Sequence, residues 1–99
     1  MLSLKIHESY RRVVALCDSN LIGKKFFEDK RQLDLRENFY KDKEISFEDA
    51  VEILQRERLE DSTFNIVGEK AIKAAIEALI LNKEGIGKVD GVPFALILI

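Results

Sequence analysis

The first residues alternate apolar and polar, Leu2-Ser3-Leu4-Lys5-Ile6-His7, the period of two that marks a strand with one buried face. Leu2, Leu4 and Ile6 point inward in that reading. Glu8-Ser9-Tyr10-Arg11 is a polar break of hairpin length, and Arg12-Val13-Val14-Ala15-Leu16-Cys17 follows as a β-branched, mostly apolar run. An opening β-hairpin is expected, stopped by Asp18-Ser19-Asn20, whose side chains bond to nearby backbone and favour a turn. Gln32-Leu33-Asp34-Leu35-Arg36 alternates again and predicts a third strand. A fourth falls near Lys24 to Phe27, across the charged reversal Glu28-Asp29-Lys30-Arg31.

The period then changes. Ser46-Phe47-Glu48-Asp49 matches the capping pattern in which a serine oxygen accepts the N–H at the third helical position. Phe47, Ala50, Val51 and Leu54 fall on one stripe, which predicts an amphipathic helix to about Arg58. After the polar link Leu59-Glu60-Asp61-Ser62-Thr63, Asn65 is the expected N-cap of a second helix through about Leu81. That helix is apolar nearly all round, so it needs cover on more than one side, from the sheet or from a second copy of the chain. Asp90-Gly91 is the favoured pair for a tight hairpin turn between Ile86-Gly87-Lys88-Val89 and Phe94-Ala95-Leu96-Ile97-Leu98-Ile99. The last run has no polar side chain and reads as a strand buried on both faces, in the middle of the sheet. The pattern as a whole predicts one α+β domain over residues 1–99, a mixed or antiparallel sheet of about five strands with two helices packed on it.

Composition narrows the function. The chain has 99 residues, 46% of them hydrophobic and 34% charged, and a formal net charge of -2, which argues against a generic nucleic-acid coater. One cysteine, Cys17, allows no internal disulfide, and with one histidine, His7, it cannot build an all-Cys/His zinc site. No apolar run approaches the ~20 residues that span a bilayer, and the first residues lack a signal-peptide pattern, so a cytoplasmic protein without metal or cofactor is expected. The charge is uneven: residues 1–45 carry ten Lys/Arg against eight Asp/Glu, whereas residues 46–65 carry two against six. That difference leaves Arg11, Arg12, Lys24, Lys25, Lys30 and Arg31 on turns of the β-rich half as candidate phosphate contacts, with Tyr10 or Phe26 to stack a base.

A second reading places a small-molecule site where the start of the second helix meets the Gly91-Val92-Pro93 turn. Asn65 and the Gly68 N–H would hold an anion, and His7 is the one available proton carrier; Glu69, an anion in the same turn, opposes this and fits helix capping instead. No catalytic residue is assigned. Cys17 lies inside an apolar strand, where a thiol is an inert small hydrophobe, and no G-x-S-x-G elbow, Walker loop or dinucleotide fingerprint is present. Binding is therefore the first reading and catalysis the second.

The stretches Asn20-Leu21-Ile22-Gly23-Lys24-Lys25-Phe26, Glu37-Asn38-Phe39-Tyr40, Asn65-Ile66-Val67-Gly68-Glu69-Lys70-Ala71 and Gly91-Val92-Pro93-Phe94-Ala95 resemble, in order and spacing, the archaeal domain-of-unknown-function family numbered 424. The likeness covers essentially the whole chain, and Asn-x-x-Gly-Glu and Gly-Val-Pro are its most specific parts. Phe94 stands where members of that family often carry His, so no role of that histidine carries over. The resemblance implies an archaeal source and a small cytosolic protein, and it tilts the partner toward RNA or a protein of the translation apparatus. It brings no established activity, substrate or catalytic residue.

Overall fold

In the computed structural model, which describes residues 1–98, the opening alternation forms the predicted hairpin: β1 (Leu2–His7) pairs antiparallel with β2 (Val13–Asp18). A 3-10 turn at Ser19–Leu21 leads to β3 (Lys25–Glu28) and β4 (Arg31–Asp34), a hairpin of its own. The one-turn helix α1 (Glu37–Tyr40) and the short strand β5 (Lys43–Ile45) follow, neither of which the local pattern announces. Then come α2 (Phe47–Arg58), β6 (Thr63–Val67), α3 (Glu69–Glu77), a 3-10 turn at Lys83–Gly85, β7 (Gly87–Val89) and β8 (Val92–Ile97). Among the described residues six strands make one mixed sheet in the order β5-β1-β2-β6-β8-β7, in which only β2 and β6 run parallel. The expected α+β class holds, with one more strand in the main sheet and a separate two-stranded ribbon.

Alternation along the central strands sorts the core into two layers. Leu2, Leu4, Val14, Leu16, Phe64 and Ile66 face α2 and α3 and pack on Ala50, Leu54, Ala71, Ile72 and Ala75. Ala15, Cys17 and Val67 face the other way and meet Leu35, Tyr40 and the half-buried Phe26, Leu33 and Phe94. Each fully buried large side chain contributes roughly 1.5–3 kcal/mol, so the two layers fix which side of the ribbon turns inward. No helix among the described residues is long and apolar enough to cross a membrane.

The first predicted helix is found as read: Ser46 Oγ accepts the Asp49 N–H at 3.1 Å, and Arg56 and Arg58 sit in the last turn, where the dipole favours cations. The second needs correction. Asn65 is no cap but the middle of β6, opposite Ala15 on β2 and Leu96 on β8. Parallel pairing with β2 holds residues 63–67 extended, and α3 begins only after Gly68, which takes φ 106°. The helix also stops earlier than Leu81. Leu79 adopts a left-handed φ of 64°, and the Ile80 N–H closes back on the Ala75 carbonyl at 3.2 Å, the bond of a Schellman ending. Ile80 and Leu81 then return to the core. The nearly all-round apolar surface of α3 is met by the sheet on one side and by α2 on the other.

The last strand also differs from expectation. β8 lies next to the edge strand β7, and Leu96 remains 58% exposed. Its apolar run lacks cover there because the ribbon and α1 reach only the Phe94 and Val92 end of the strand. The final position of the predicted strand, 99, lies outside the described residues. The Asp90-Gly91 turn is as predicted, with φ of 50° and 79° at its two central residues.

Candidate functional site

The β3–β4 ribbon carries the basic turns and shows how they are presented. Its two-residue connection, Asp29-Lys30, has Asp29 at φ 55°, and the register Lys25↔Asp34, Phe26↔Leu33, Phe27↔Gln32, Glu28↔Arg31 assigns every side chain to a side. Phe26, Leu33, Glu28 and Arg31 share the inner side. Phe26 and Leu33 enter the core, the Glu28 carboxylate accepts the Asp90 N–H at 2.7 Å, and the Arg31 guanidinium donates to the Lys88 carbonyl and lies over the Phe94 ring at 5.7 Å. At its base the Gly23 N–H donates to the Leu35 carbonyl at 2.7 Å and the Leu35 N–H to the Lys24 carbonyl at 3.0 Å. The ribbon is thus held at both ends and along one side.

Its outer side faces solvent. Phe27 is 60% exposed, flanked by exposed Lys25 on the same strand and exposed Gln32 opposite, with Lys24 and Lys30 exposed at either end. Among the residues proposed from sequence, Lys24, Lys25 and Lys30 therefore fall together, whereas Arg31 is turned inward. Phe26 packs against the core and Phe27 faces outward; two adjacent aromatics on a strand must face opposite ways, and the register with Leu33 decides which.

Arg11 and Arg12 lie elsewhere, on the β1–β2 connection. Arg12 is a structural residue: Nε and Nη2 donate to the two carboxylate oxygens of Glu57 at 2.9 Å each, and Nη1 donates to Glu8 at 2.7 Å. Glu57 is 8% exposed and also accepts the buried Ser62 hydroxyl at 2.8 Å. The Arg12 guanidinium holds the Glu57 carboxyl below the ordinary glutamate value against the opposing effect of burial. Tyr10 is fully exposed beside them.

The second predicted site is partly assembled. Gly68 and Glu69 do meet Gly91, Val92 and Pro93 across a cleft of about 200 Å³, closed by Asp18, Asn20 and Leu21. Its chemistry does not suit an anion. The Gly68 N–H already donates to the Pro93 carbonyl at 2.8 Å, and the Asp18 carboxylate accepts the Lys70 and Ala71 N–H groups at 3.2 and 2.9 Å. Asp18, across 52 residues of sequence from Lys70, thus serves as the cap that Gly68 cannot supply, and Glu69 adds a second negative group. Asn65, in the middle of β6, does not line this cleft. His7 is at the far end of the sheet, opposite Val13, where its Nε2 is 2.8 Å from the Phe39 carbonyl and its ring stacks on Phe39 at 4.5 Å. Cys17 is buried, and burial together with the neighbouring Asp18 pushes its thiol up to about 12. No group of three or more His, Cys, Asp or Glu placed to hold a metal ion occurs among the described residues.

Fold and surface together define a small α+β protein with two helices on one face of a mixed sheet and a pinned two-stranded ribbon of mixed charge on the other. A family model described as "Protein of unknown function (DUF424)" matches residues 7–99, and the chain belongs to that family. It is similar to the crystal structure of an uncharacterized conserved protein from the archaeon Methanopyrus kandleri, with 30% identity and a TM-score of 0.84 over 98% of this chain and 91% of the other. Comparison with curated proteins returns no match.

Proposed function

We propose that the protein binds RNA, through the outer side of the β3–β4 ribbon, with RNA of the translation apparatus the first class to try. The observation that carries this reading is Phe27, an exposed ring between Lys25 and Lys30 on a ribbon whose other side is pinned to the body. An exposed ring can stack on an unpaired base, lysines at its flanks can contact the adjoining phosphates, and Gln32 can hydrogen-bond a base edge. Lysine serves here as a mobile point charge, which suits a backbone contact that carries no sequence preference. Arg12 and Arg31, committed to Glu57 and to Lys88 and Phe94, support this surface by fixing the scaffold and do not contact RNA.

The test is an anisotropy titration of labelled single-stranded RNA and of tRNA. Three lysine contacts on a single strand predict an affinity that falls on the order of tenfold between roughly 50 and roughly 200 mM salt. Phe27→Ala removes one stacked base, about 1–3 kcal/mol, and weakens binding about tenfold with the salt slope unchanged. Absence of binding at low salt, or binding indifferent to both changes, contradicts the proposal.

A further inference from the structure

We propose that Arg36, held in place by Asp34, reads an unpaired guanine next to the base stacked on Phe27, a preference that rests on the ribbon binding RNA as proposed above. The register places both residues. Lys25 pairs with Asp34 and Phe27 with Gln32, so Asp34 lies on the outer side with Phe27, whereas Leu35 is 1% exposed and turned to the core. Alternation carried one residue past β4 returns Arg36 to the outer side, where its side chain is 71% exposed.

The outer side then holds two kinds of cation. Lys25 and Lys30 are exposed and enter none of the ion pairs among the described residues. Arg36 differs, because its Nε donates to Asp34 Oδ2 at 3.0 Å. The Asp34 side chain is 20% exposed, the more enclosed of the two, so the carboxylate fixes the plane of the guanidinium. With Nε engaged, the two terminal nitrogens remain at the exposed end as a planar fork of donors.

The carboxylate also decides what that fork can take. A phosphate is disfavoured, since Asp34 cancels the charge that would attract it and repels it at contact range. A neutral pair of adjacent acceptors meets no such penalty. Guanine offers one in O6 and N7, the edge on which arginine makes its commonest specific contact. Adenine sets its N6 amino donor beside N7, and on the same edge cytosine presents a donor and uracil a single acceptor. Asp34 lies two residues from Gln32, about 7 Å along the strand, a span that an unstacked neighbouring nucleotide covers. The lysines thus supply the salt-dependent attraction, and the neutral Arg36–Asp34 pair supplies the preference.

The test is anisotropy at low salt with oligouridylate and with the same oligomer carrying one central guanine, adenine, cytosine or 7-deazaguanine. Guanine is expected to bind about tenfold more tightly than any other base, and 7-deazaguanine, which lacks the N7 acceptor, to lose that gain. Arg36→Lys keeps the charge without the fork and should abolish the preference while leaving oligouridylate affinity unchanged. Asp34→Ala should also abolish it, yet tighten binding to every oligomer and steepen the salt dependence, because the mask on the guanidinium is gone. Melting temperatures should stay level in both variants, as the pair is largely exposed. Preference for another base, 7-deazaguanine equal to guanine, or a preference that survives Arg36→Lys overturns the assignment. Equal affinity for all oligomers, lost in Lys25→Glu/Lys30→Glu, overturns it while the ribbon keeps its RNA; no binding of any oligomer overturns both.

Discussion

Gly68→Ala is expected to cost about 3 kcal/mol or more, the sum of a glycine-only backbone conformation at roughly 1–3 kcal/mol and an overpacked contact of similar size. Gly68 has φ 106° and ψ 157°, a region that residues with a Cβ avoid, and an added Cβ would come within 2.6 Å of Asp18 Oδ1 and 2.9 Å of its Cβ. Relief by moving Asp18 would withdraw the carboxylate from the Lys70 and Ala71 N–H groups and uncap α3. Both escapes are therefore costly. For a chain of this size 1 kcal/mol is about 4–8 °C in Tm, so calorimetry should show a drop of more than ten degrees or so. Gly91→Asn is the control. Gly91 also has positive φ, 79°, but no atom lies within 4 Å of the space its Cβ would fill, and asparagine accepts that conformation, so the loss should be small. Equal losses at both positions would show that the close approach to Asp18 is not what Gly68 provides.

Glu57→Ala should cost about 2 kcal/mol, because it strands the fully buried Ser62 hydroxyl and removes the anchor between α2 and the β1–β2 connection. The same carboxylate makes stability depend on pH in a defined direction. Its value in the folded protein is lowered, chiefly by the hydrogen bonds from Arg12, with burial opposing and Ser62 assisting. A lowered carboxyl stabilises the fold above its unfolded value, about 4.3, and that stabilisation disappears as pH falls through the folded value beneath it. Thermal melts between neutral pH and about pH 3 should thus show a steeper acid loss in the wild type than in Glu57→Gln. Parallel curves would mean that the ion pair does not link folding to protonation.

Legibility from sequence divides along the range of the interactions. Ser46 caps a helix three residues away, and Asp90-Gly91 fixes a turn by its own φ preferences, so both could be read in place. The Leu2–His7 alternation is equally local. Thr63–Val67 was not legible as a strand: Asn65, Gly68 and the apolar residues beyond them imitate a capped helix, and only the parallel partner β2 holds the segment extended. The true cap, Asp18, lies on another strand. At the candidate site, the clustering of Lys24, Lys25 and Lys30 follows from their neighbourhood in the chain. Which of Phe26 and Phe27 faces outward is set by the ribbon's packing on the core, and the withdrawal of Arg12 and Arg31 to Glu57, Lys88 and Phe94 depends on partners 45 and 57 residues distant, which composition and spacing do not reveal.

In the proposed function the outer side of the β3–β4 ribbon, and not basic charge in general, holds RNA. The direct measurement compares tRNA affinity at low salt for the wild type, Lys25→Glu/Lys30→Glu and Arg11→Glu, each checked for an unchanged Tm. A loss on the order of a hundredfold is expected for the ribbon variant, from about two phosphate contacts reversed in sign, and a change of no more than a few-fold at Arg11. A wild type that does not bind, or a ribbon variant that binds as well as the wild type, would contradict it.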